Sequence, residues 1–184
     1  MKKIILIILY CGLCLHQYAQ KNKIDSLLIL LQSAKDTAKV TVMNELSKSL
    51  WYYQLEQAND YNLKALHLAD SISFQKGLAE ANRCRGVILS FKKDPAAMSY
   101  LETALKIFRK LNNKRGIAAT LNNQSGLYNN NNESSRALDV ATQSLKLFEE
   151  LNDPEAIGAV INQIGFIYEQ QSDFTAALAH YLKA

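Results

Sequence analysis

The sequence predicts an all-α fold in which pairs of antiparallel helices stack into a solenoid. First, small residues return in three columns every 39 or 40 positions, and self-similarity at such a period is typical of repeat architectures. Second, apolar residues within each unit recur at spacings of three and four, which is the periodicity of a buried helical stripe. Third, β-branched and polar residues nowhere alternate with period two, which argues against a β-sheet.

The small residues explain how the helices can approach one another. Helices in close contact need side chains of minimal volume where their axes cross, so we expect every column to lie at a contact between helices. A leucine at Gly165 or Ala177 would overpack such a contact at a cost of roughly 1–3 kcal/mol. The three columns are Ser47, Gly86, Ser125 and Gly165; Ala58, Ala97, Ala137 and Ala177; and Ala65, Ala104, Ser144 and Ala184.

Composition narrows the class of protein. The chain has 184 residues, of which 48% are hydrophobic and 21% charged, as expected for one folded globular unit. Its net charge of +4 is too small to indicate a nucleic-acid-binding surface. Its three cysteines cannot build a disulfide framework or a four-ligand zinc site by themselves.

Residues 1–19 have the pattern of a secretory signal peptide. Lys2 and Lys3 precede an uncharged run over residues 4–15, which is typical of an export signal and too short to cross a bilayer. We expect cleavage near Ala19, which would leave Cys84 as the only cysteine. The mature chain is then predicted to be secreted or periplasmic and to contain no membrane span.

The next segment, residues 20–36, is predicted to be an N-terminal capping helix. Its apolar residues share one helical face, and they are Ile24, Leu27, Leu28 and Leu31. The repeat domain follows over residues 37–184. Its units are predicted at residues 37–75, 76–113, 114–153 and 154–184.

Polar joints are predicted between the helices. Gln171, Ser172 and Asp173 supply turn and N-cap chemistry in the fourth unit. Residues 129–135 do so in the third unit, and in the second Pro95 suits the first turn of a new helix.

The fourth unit is predicted to be incomplete. Ala184 falls in the third column, where the preceding unit continues for about two more helical turns. A solenoid normally closes with a polar capping helix. We therefore expect the sequence to be the N-terminal part of a longer protein or a truncated product.

The columns resemble the tetratricopeptide repeat. The fourth unit carries the resemblance through Ile164, Gly165, Tyr168, Ala177, Tyr181 and Ala184, and the third through Leu121, Ser125, Tyr128, Ala137 and Ser144. The period of about 40 exceeds the 34 residues of the common form, so the chain resembles the long-repeat type. This resemblance implies a right-handed superhelical solenoid of about three and a half to four repeats, with a concave wall lined mainly by the first helix of each pair.

The resemblance also implies a binding groove on that wall. Asparagine in one column of the family often hydrogen-bonds the backbone of an extended peptide, because a carboxamide both donates and accepts. The residues projected onto the groove are Asn44, Lys48, Trp51, Arg83, Asn122, Asn162 and Phe166. Other roles remain open at this point: the asparagines could be solvated or cap loops, and Trp51 could pack against the next helix rather than anchor a partner. Arg83 could clamp a carboxylate or have no ligand.

The sequence offers no support for catalysis. His67 and His180 each lack a second metal ligand at helical spacing, and Cys84 is expected to be a packed thiol. Gly-rich phosphate loops and a nucleophile elbow are absent from the sequence. We therefore expect no catalytic residues, no metal and no cofactor.

Two functions follow from the pattern. The favoured one is an exported protein–protein interaction module that binds a peptide or protein segment in its concave groove. The alternative is the extracytoplasmic sensory segment of a longer signal-transduction protein, because the chain resembles exported N-terminal repeat regions of bacterial histidine kinases and related transcriptional regulators. In that case a downstream signalling domain would follow.

Overall fold

The structure, a computed structural model, describes residues 21–184, and within them the chain forms α-helices and no β-strand. This confirms the predicted all-α solenoid of antiparallel helix pairs. The proposed signal peptide and its cleavage near Ala19 lie outside the described residues. The helices are α1 (21–33), α2 (Asp36–Leu50), α3 (Leu55–Ser71), α4 (Gln75–Phe91), α5 (Ala97–Lys110), α6 (Lys114–Asn130), α7 (Ser134–Glu150), α8 (Pro154–Gln170) and α9 (Phe174–Lys183).

The stacking order is simple. Helices α2 to α9 form four antiparallel pairs, and each of them packs against its neighbours in the chain. The first helices of successive pairs, α2, α4, α6 and α8, also contact one another. Among α2 to α9 the second helices, α3, α5, α7 and α9, do not. The row of first helices is therefore the tighter, concave side of the stack.

The small-residue columns lie at helix contacts, as predicted. Every member is buried except Ala184. A Cβ added to Gly86 on α4 would stand 2.6 Å from Cγ of Leu101 and 3.0 Å from the carbonyl oxygen of Ala97, both on α5. The first and second columns thus meet inside a pair. In the third column Ser144 donates its hydroxyl across the pair to the carbonyl of Ala118 at 2.8 Å.

Helix α1 covers one end of the stack. Ile24, Leu27 and Leu31 pack against an apolar cluster that includes Leu46 of α2. Leu28 was expected on the same buried face, but it is 37% exposed. The surface of α1 that contacts the rest of the protein is narrow, and Leu28 lies at the edge of that surface.

Six of the seven turns after α2 share one conformation. In each, a residue other than glycine has a φ between 49° and 63°, and these residues are Ser73, Lys93, Asn112, Asn132, Asn152 and Ser172. The N–H of the following residue returns to a carbonyl five positions earlier, as from Asp173 to Tyr168 at 3.0 Å. This bond is the one that ends a helix in a Schellman motif.

Side chains cap several of the helices that follow these turns. Asp173 accepts a hydrogen bond from the backbone of Ala176 at 3.0 Å, which confirms its predicted N-cap role. Pro95 was expected in the first turn of α5, but it lies in the turn before Ala97, because the Asp94 side chain first accepts from the Ala96 backbone. The joint predicted at residues 129–135 is also shorter, because α6 continues through Asn130 and α7 begins at Ser134.

The turn between α2 and α3 is different. Its residues Trp51 to Gln54 include none with a positive φ. Instead the N–H groups of Tyr53 and Gln54 both donate to the carbonyl of Leu50, at 3.0 and 2.8 Å. The result is a turn that leaves the side chains of Tyr52 and Tyr53 exposed.

Candidate functional site

Two adjoining cavities lie along the concave side. The first has a volume of about 600 Å³ and is lined mainly by α2, α4, α6 and α8; we call it the charged chamber. The second, of about 420 Å³, we call the aromatic chamber. Tyr52, Asn122 and Asn123 line both cavities and mark their junction. The charged chamber includes Asn44, Glu45, Lys48, Trp51, Lys76, Glu80, Arg83 and Arg115 in its wall. The aromatic chamber includes Phe91, Leu101, Leu127 and Phe166.

The charged chamber carries more positive than negative groups. Its four cations are Lys48, Lys76, Arg83 and Arg115, and its two carboxylates are Glu45 and Glu80. The cations outnumber the carboxylates of the wall by two, but Arg115 pairs at 2.8 Å with Asp153, which lies outside the wall. The net excess is therefore one positive charge.

Ion pairs order several of these charges. Lys48 pairs with Glu45 one turn earlier on α2. On α4, Nη2 and Nε of Arg83 both donate to Oε2 of Glu80, at 2.7 and 3.2 Å. Because Arg83 is itself only 8% exposed, this fork of hydrogen bonds fixes its guanidinium against the chamber wall.

The Arg83 pair shifts the titration of its partner. Burial by itself would raise the pKa of the Glu80 carboxyl, because a low dielectric disfavours the charged form. The attraction of Arg83, with smaller contributions from Lys48 and Lys76, outweighs that burial and holds the pKa of Glu80 below its ordinary value. Glu80 is therefore a carboxylate at neutral pH.

Three asparagines present unpartnered atoms at the groove. Asn44 donates from Nδ2 to the carbonyl of Gly77 at 3.0 Å, which ties α2 to α4, but its Oδ1 has no partner among the described residues. At the junction, Oδ1 of Asn122 and Nδ2 of Asn123 are likewise buried without a partner in that part of the chain. An unsatisfied acceptor and an unsatisfied donor are thus supplied by consecutive residues.

The aromatic chamber has no charged residue in its wall. The ring of Tyr52 meets the ring of Phe91 edge-on, with centroids 5.5 Å apart, and Trp51 meets Tyr52 in the same way at 6.0 Å. Phe166 of α8 adds a third exposed ring to this cavity. The chamber therefore offers aromatic surface without competing charge.

Most residues projected onto the groove from the sequence lie in these cavities. Asn44, Lys48, Trp51, Arg83 and Asn122 line the charged chamber, and Phe166 lines the aromatic chamber. Trp51 also packs against the apolar cluster of α2 and α4, and its Nε1 has no partner among residues 21–184.

Asn162 is placed differently. It is exposed and belongs to the wall of neither chamber. It occupies the same register as Asn122, but within the described residues no further first helix follows α8 to enclose it.

Sequence reasoning missed Glu80, Tyr52 and Asn123. Glu80 lies three residues before Arg83 in the same helical row, so extending each predicted column by a turn would have found it. Asn123 adjoins a predicted residue. Tyr52 gave no periodic signal, because it belongs to the one turn that departs from the repeat.

Cys84 and His180, two side chains with reactive groups, are packed against other residues. Cys84 is fully buried, and burial raises the pKa of its thiol to about 11. The ring of His180 stacks on Tyr168 at a centroid distance of 5.4 Å. Within residues 21–184, no group of three or more His, Cys, Asp or Glu side chains could hold a metal ion. No helix in that range is both long enough and apolar enough to cross a membrane.

Comparison with known proteins adds evidence on the fold. No protein-family model matches the chain, and no curated protein is found to match it. Among solved structures the chain is similar to BtubC (BKLC) from P. vanneervenii, with a TM-score of 0.64 and 18% sequence identity. The alignment covers 86% of this chain and 67% of BtubC. At that identity the likeness concerns the fold alone.

Proposed function

We propose that the chain is a tetratricopeptide-type interaction module that binds an extended peptide or protein segment in its concave groove. The observation that carries this proposal is the junction of the two chambers, where Asn122 and Asn123 hold an acceptor and a donor without a partner among residues 21–184. A buried polar group without a partner costs free energy, about 1–3 kcal/mol. Both atoms are buried, so a ligand would reach them only when the two side chains rotate toward the groove. Hydrogen bonds to the ligand would then remove that cost.

A peptide backbone has the matching chemistry. Each residue of an extended segment exposes one N–H and one C=O, so it can donate to Oδ1 of Asn122 and accept from Nδ2 of Asn123. The groove also has room for side chains on either side of this contact, in the charged and the aromatic chambers. Backbone recognition would supply affinity, and the chambers would supply specificity.

The proposal includes export to the periplasm or the medium. Its support is the signal-peptide pattern of residues 1–19, which precedes the described part of the chain. N-terminal sequencing of the exported product would test it. A product that starts near residue 20 supports export, and a retained Met1 contradicts it.

The second candidate, a sensory segment of a signal-transduction protein, is favoured by one observation. Leu138 of α7 is half-buried in the cluster that includes α8, whereas Leu178, in the same register of α9, is 59% exposed. In α7 this face packs against the following helix pair. The corresponding face of α9 is also apolar, but at Leu178 it is exposed.

Selection from a random peptide library tests the binding proposal. Phage displaying random 12-residue peptides would be selected on the immobilised chain and then tested on the double variant Asn122→Ala/Asn123→Ala. We expect enriched peptides to bind the double variant at least 10-fold more weakly, which corresponds to about 1.4 kcal/mol.

Asn162→Ala is the matched control. This asparagine shares the register of Asn122 but lies outside both chambers, so we expect unchanged binding. Circular dichroism would verify that each variant retains the helical content of the parent. The proposal fails if no peptide is enriched, or if enriched peptides bind the double variant as tightly as the parent.

A further inference from the structure

The two chambers differ in chemistry although one groove connects them. The charged chamber has four cations and two carboxylates in its wall, whereas the aromatic chamber has none of either. A ligand that spans the groove therefore meets two environments in sequence. Each environment favours a different kind of side chain.

The charged chamber favours an acidic side chain. Lys48, Arg83 and Arg115 already pair with Glu45, Glu80 and Asp153. Lys76 is exposed and makes no ion pair within residues 21–184, so it supplies the excess positive charge. The excess of positive charge attracts a carboxylate and repels a second cation.

The aromatic chamber favours a large apolar or aromatic side chain. Tyr52, Phe91 and Phe166 are 71%, 47% and 40% exposed. Burial of an aromatic side chain contributes more binding free energy than burial of a smaller one. A ring inserted among them would bury apolar surface on several sides. Partly enclosed aromatic pockets of this kind are where interfaces concentrate their binding energy.

Tyr52 separates the two environments. It lies in the one turn after α2 that lacks a left-handed residue, and that irregular turn sets its ring at the wall of both chambers. Its ring contacts with Trp51 and Phe91 connect the end of α2 to the end of α4. Loops that depart from a regular scaffold often carry function.

We propose that Tyr52 is a specificity-determining residue, and that the groove selects segments in which an acidic residue and an aromatic residue lie on either side of a short extended stretch. The acidic side chain enters the charged chamber and the aromatic side chain packs against Tyr52. This inference rests on the proposed peptide-binding function and specifies its ligand. The carboxylate comes from a side chain within the segment rather than from a chain terminus.

Synthetic peptides test this inference directly. The probes are fluorescein-labelled Gly-Ser peptides with amidated C-termini, so that they carry no terminal carboxylate. One set contains Glu and Phe separated by two to six residues, and three further sets replace Glu with Gln, Phe with Ala, or both. Fluorescence anisotropy would measure their affinities for the chain.

We expect the Glu/Phe set to bind tightest for at least one spacing. Removal of either side chain should weaken binding about 10-fold, as for residues at the centre of an interface. The advantage of Glu over Gln should shrink at high salt, because ionic strength screens charge attraction. The advantage of Phe over Ala should persist.

Two variants assign the aromatic preference. Tyr52→Ala should abolish the advantage of Phe over Ala while keeping that of Glu over Gln. Tyr53→Ala is the matched control, because Tyr53 is exposed in the same turn and lines neither chamber. It should leave both preferences intact.

The inference is overturned if the four sets bind equally, if none binds, or if Tyr53→Ala acts like Tyr52→Ala. The phage selection distinguishes this failure from that of the proposed function. Enriched peptides that depend on Asn122 and Asn123 but lack an acidic and an aromatic residue would leave the proposed function standing and refute the inference. A selection without enrichment would refute both.

Discussion

Gly86 and Gly126 lie on successive first helices, and both border the aromatic chamber, yet their surroundings differ. A Cβ at Gly86 would stand 2.6 Å from Leu101, inside the seam between α4 and α5. At Gly126 the nearest atoms belong to Gln163, 3.9 Å away. The same residue type thus permits close helix contact at one position and leaves space in the groove at the other. The structural role of a small residue in this repeat therefore depends on which atoms surround it.

The largest effect is expected at the seam between α4 and α5. Gly86→Ala places a methyl group against Cγ of Leu101 and the backbone carbonyl of Ala97, so α5 must move away. We expect the free energy of unfolding to fall by about 1–3 kcal/mol, since overpacking has a cost of that size. Urea denaturation followed by circular dichroism measures it. An unchanged midpoint would show that the seam has room.

At Gly126 we expect substitution by alanine to stabilise the protein rather than destabilise it. The position is inside α6, and an added methyl group meets only the end of the Gln163 side chain at ordinary contact distance. Gly126→Ala should therefore raise the free energy of unfolding by about 0.5–1 kcal/mol, because glycine is a poor helix residue. The same denaturation experiment checks it. A loss of stability would mean that the groove floor is as closely packed as the seam.

The smallest effect concerns pH and the wall of the charged chamber. Because the pKa of Glu80 is lower in the folded state than its ordinary value of 4.5, its carboxylate contributes stability above that pH. The contribution disappears as the pH falls through the lowered folded pKa. We therefore expect the stability advantage of the parent over Glu80→Gln to decrease on acidification below pH 4.5.

Arg83→Met provides the control for the pH experiment. It removes the main attraction that lowers the pKa of Glu80. When Arg83→Met is present, the stability difference between Glu80 and Glu80→Gln should depend less on pH. If the dependence is the same in both backgrounds, Arg83 is not the cause of the shift.

The repeat made most of the fold predictable from the sequence. Ser47, Gly86 and Ala97 could be assigned to helix contacts because the same steric demand returns every 39 or 40 residues. The groove residues on the first helices followed from the same register. Asn162 did not, because its enclosure depends on a neighbouring first helix and not on its own position.

Departures from the repeat were the least predictable part. Tyr52 belongs to a turn whose hydrogen bonds differ from those of the six later turns, and periodicity gives no information there. The position of Pro95 was also not predicted correctly, because it lies before α5 rather than in its first turn. The side chain of Asp94 captures a backbone N–H before α5 begins, and local competition of this kind is invisible to a pattern of apolar residues.

The unequal contacts of the two helix rows have a mechanical consequence. Among α2 to α9, the inner row is connected laterally from one end to the other, whereas members of the outer row do not contact each other. A small rotation of one pair against the next therefore strains few outer contacts, and rotations at successive pairs add along the stack. We therefore expect the curvature of the solenoid to change through small rotations between helix pairs. Such changes would let the concave surface adjust to ligands of different shape.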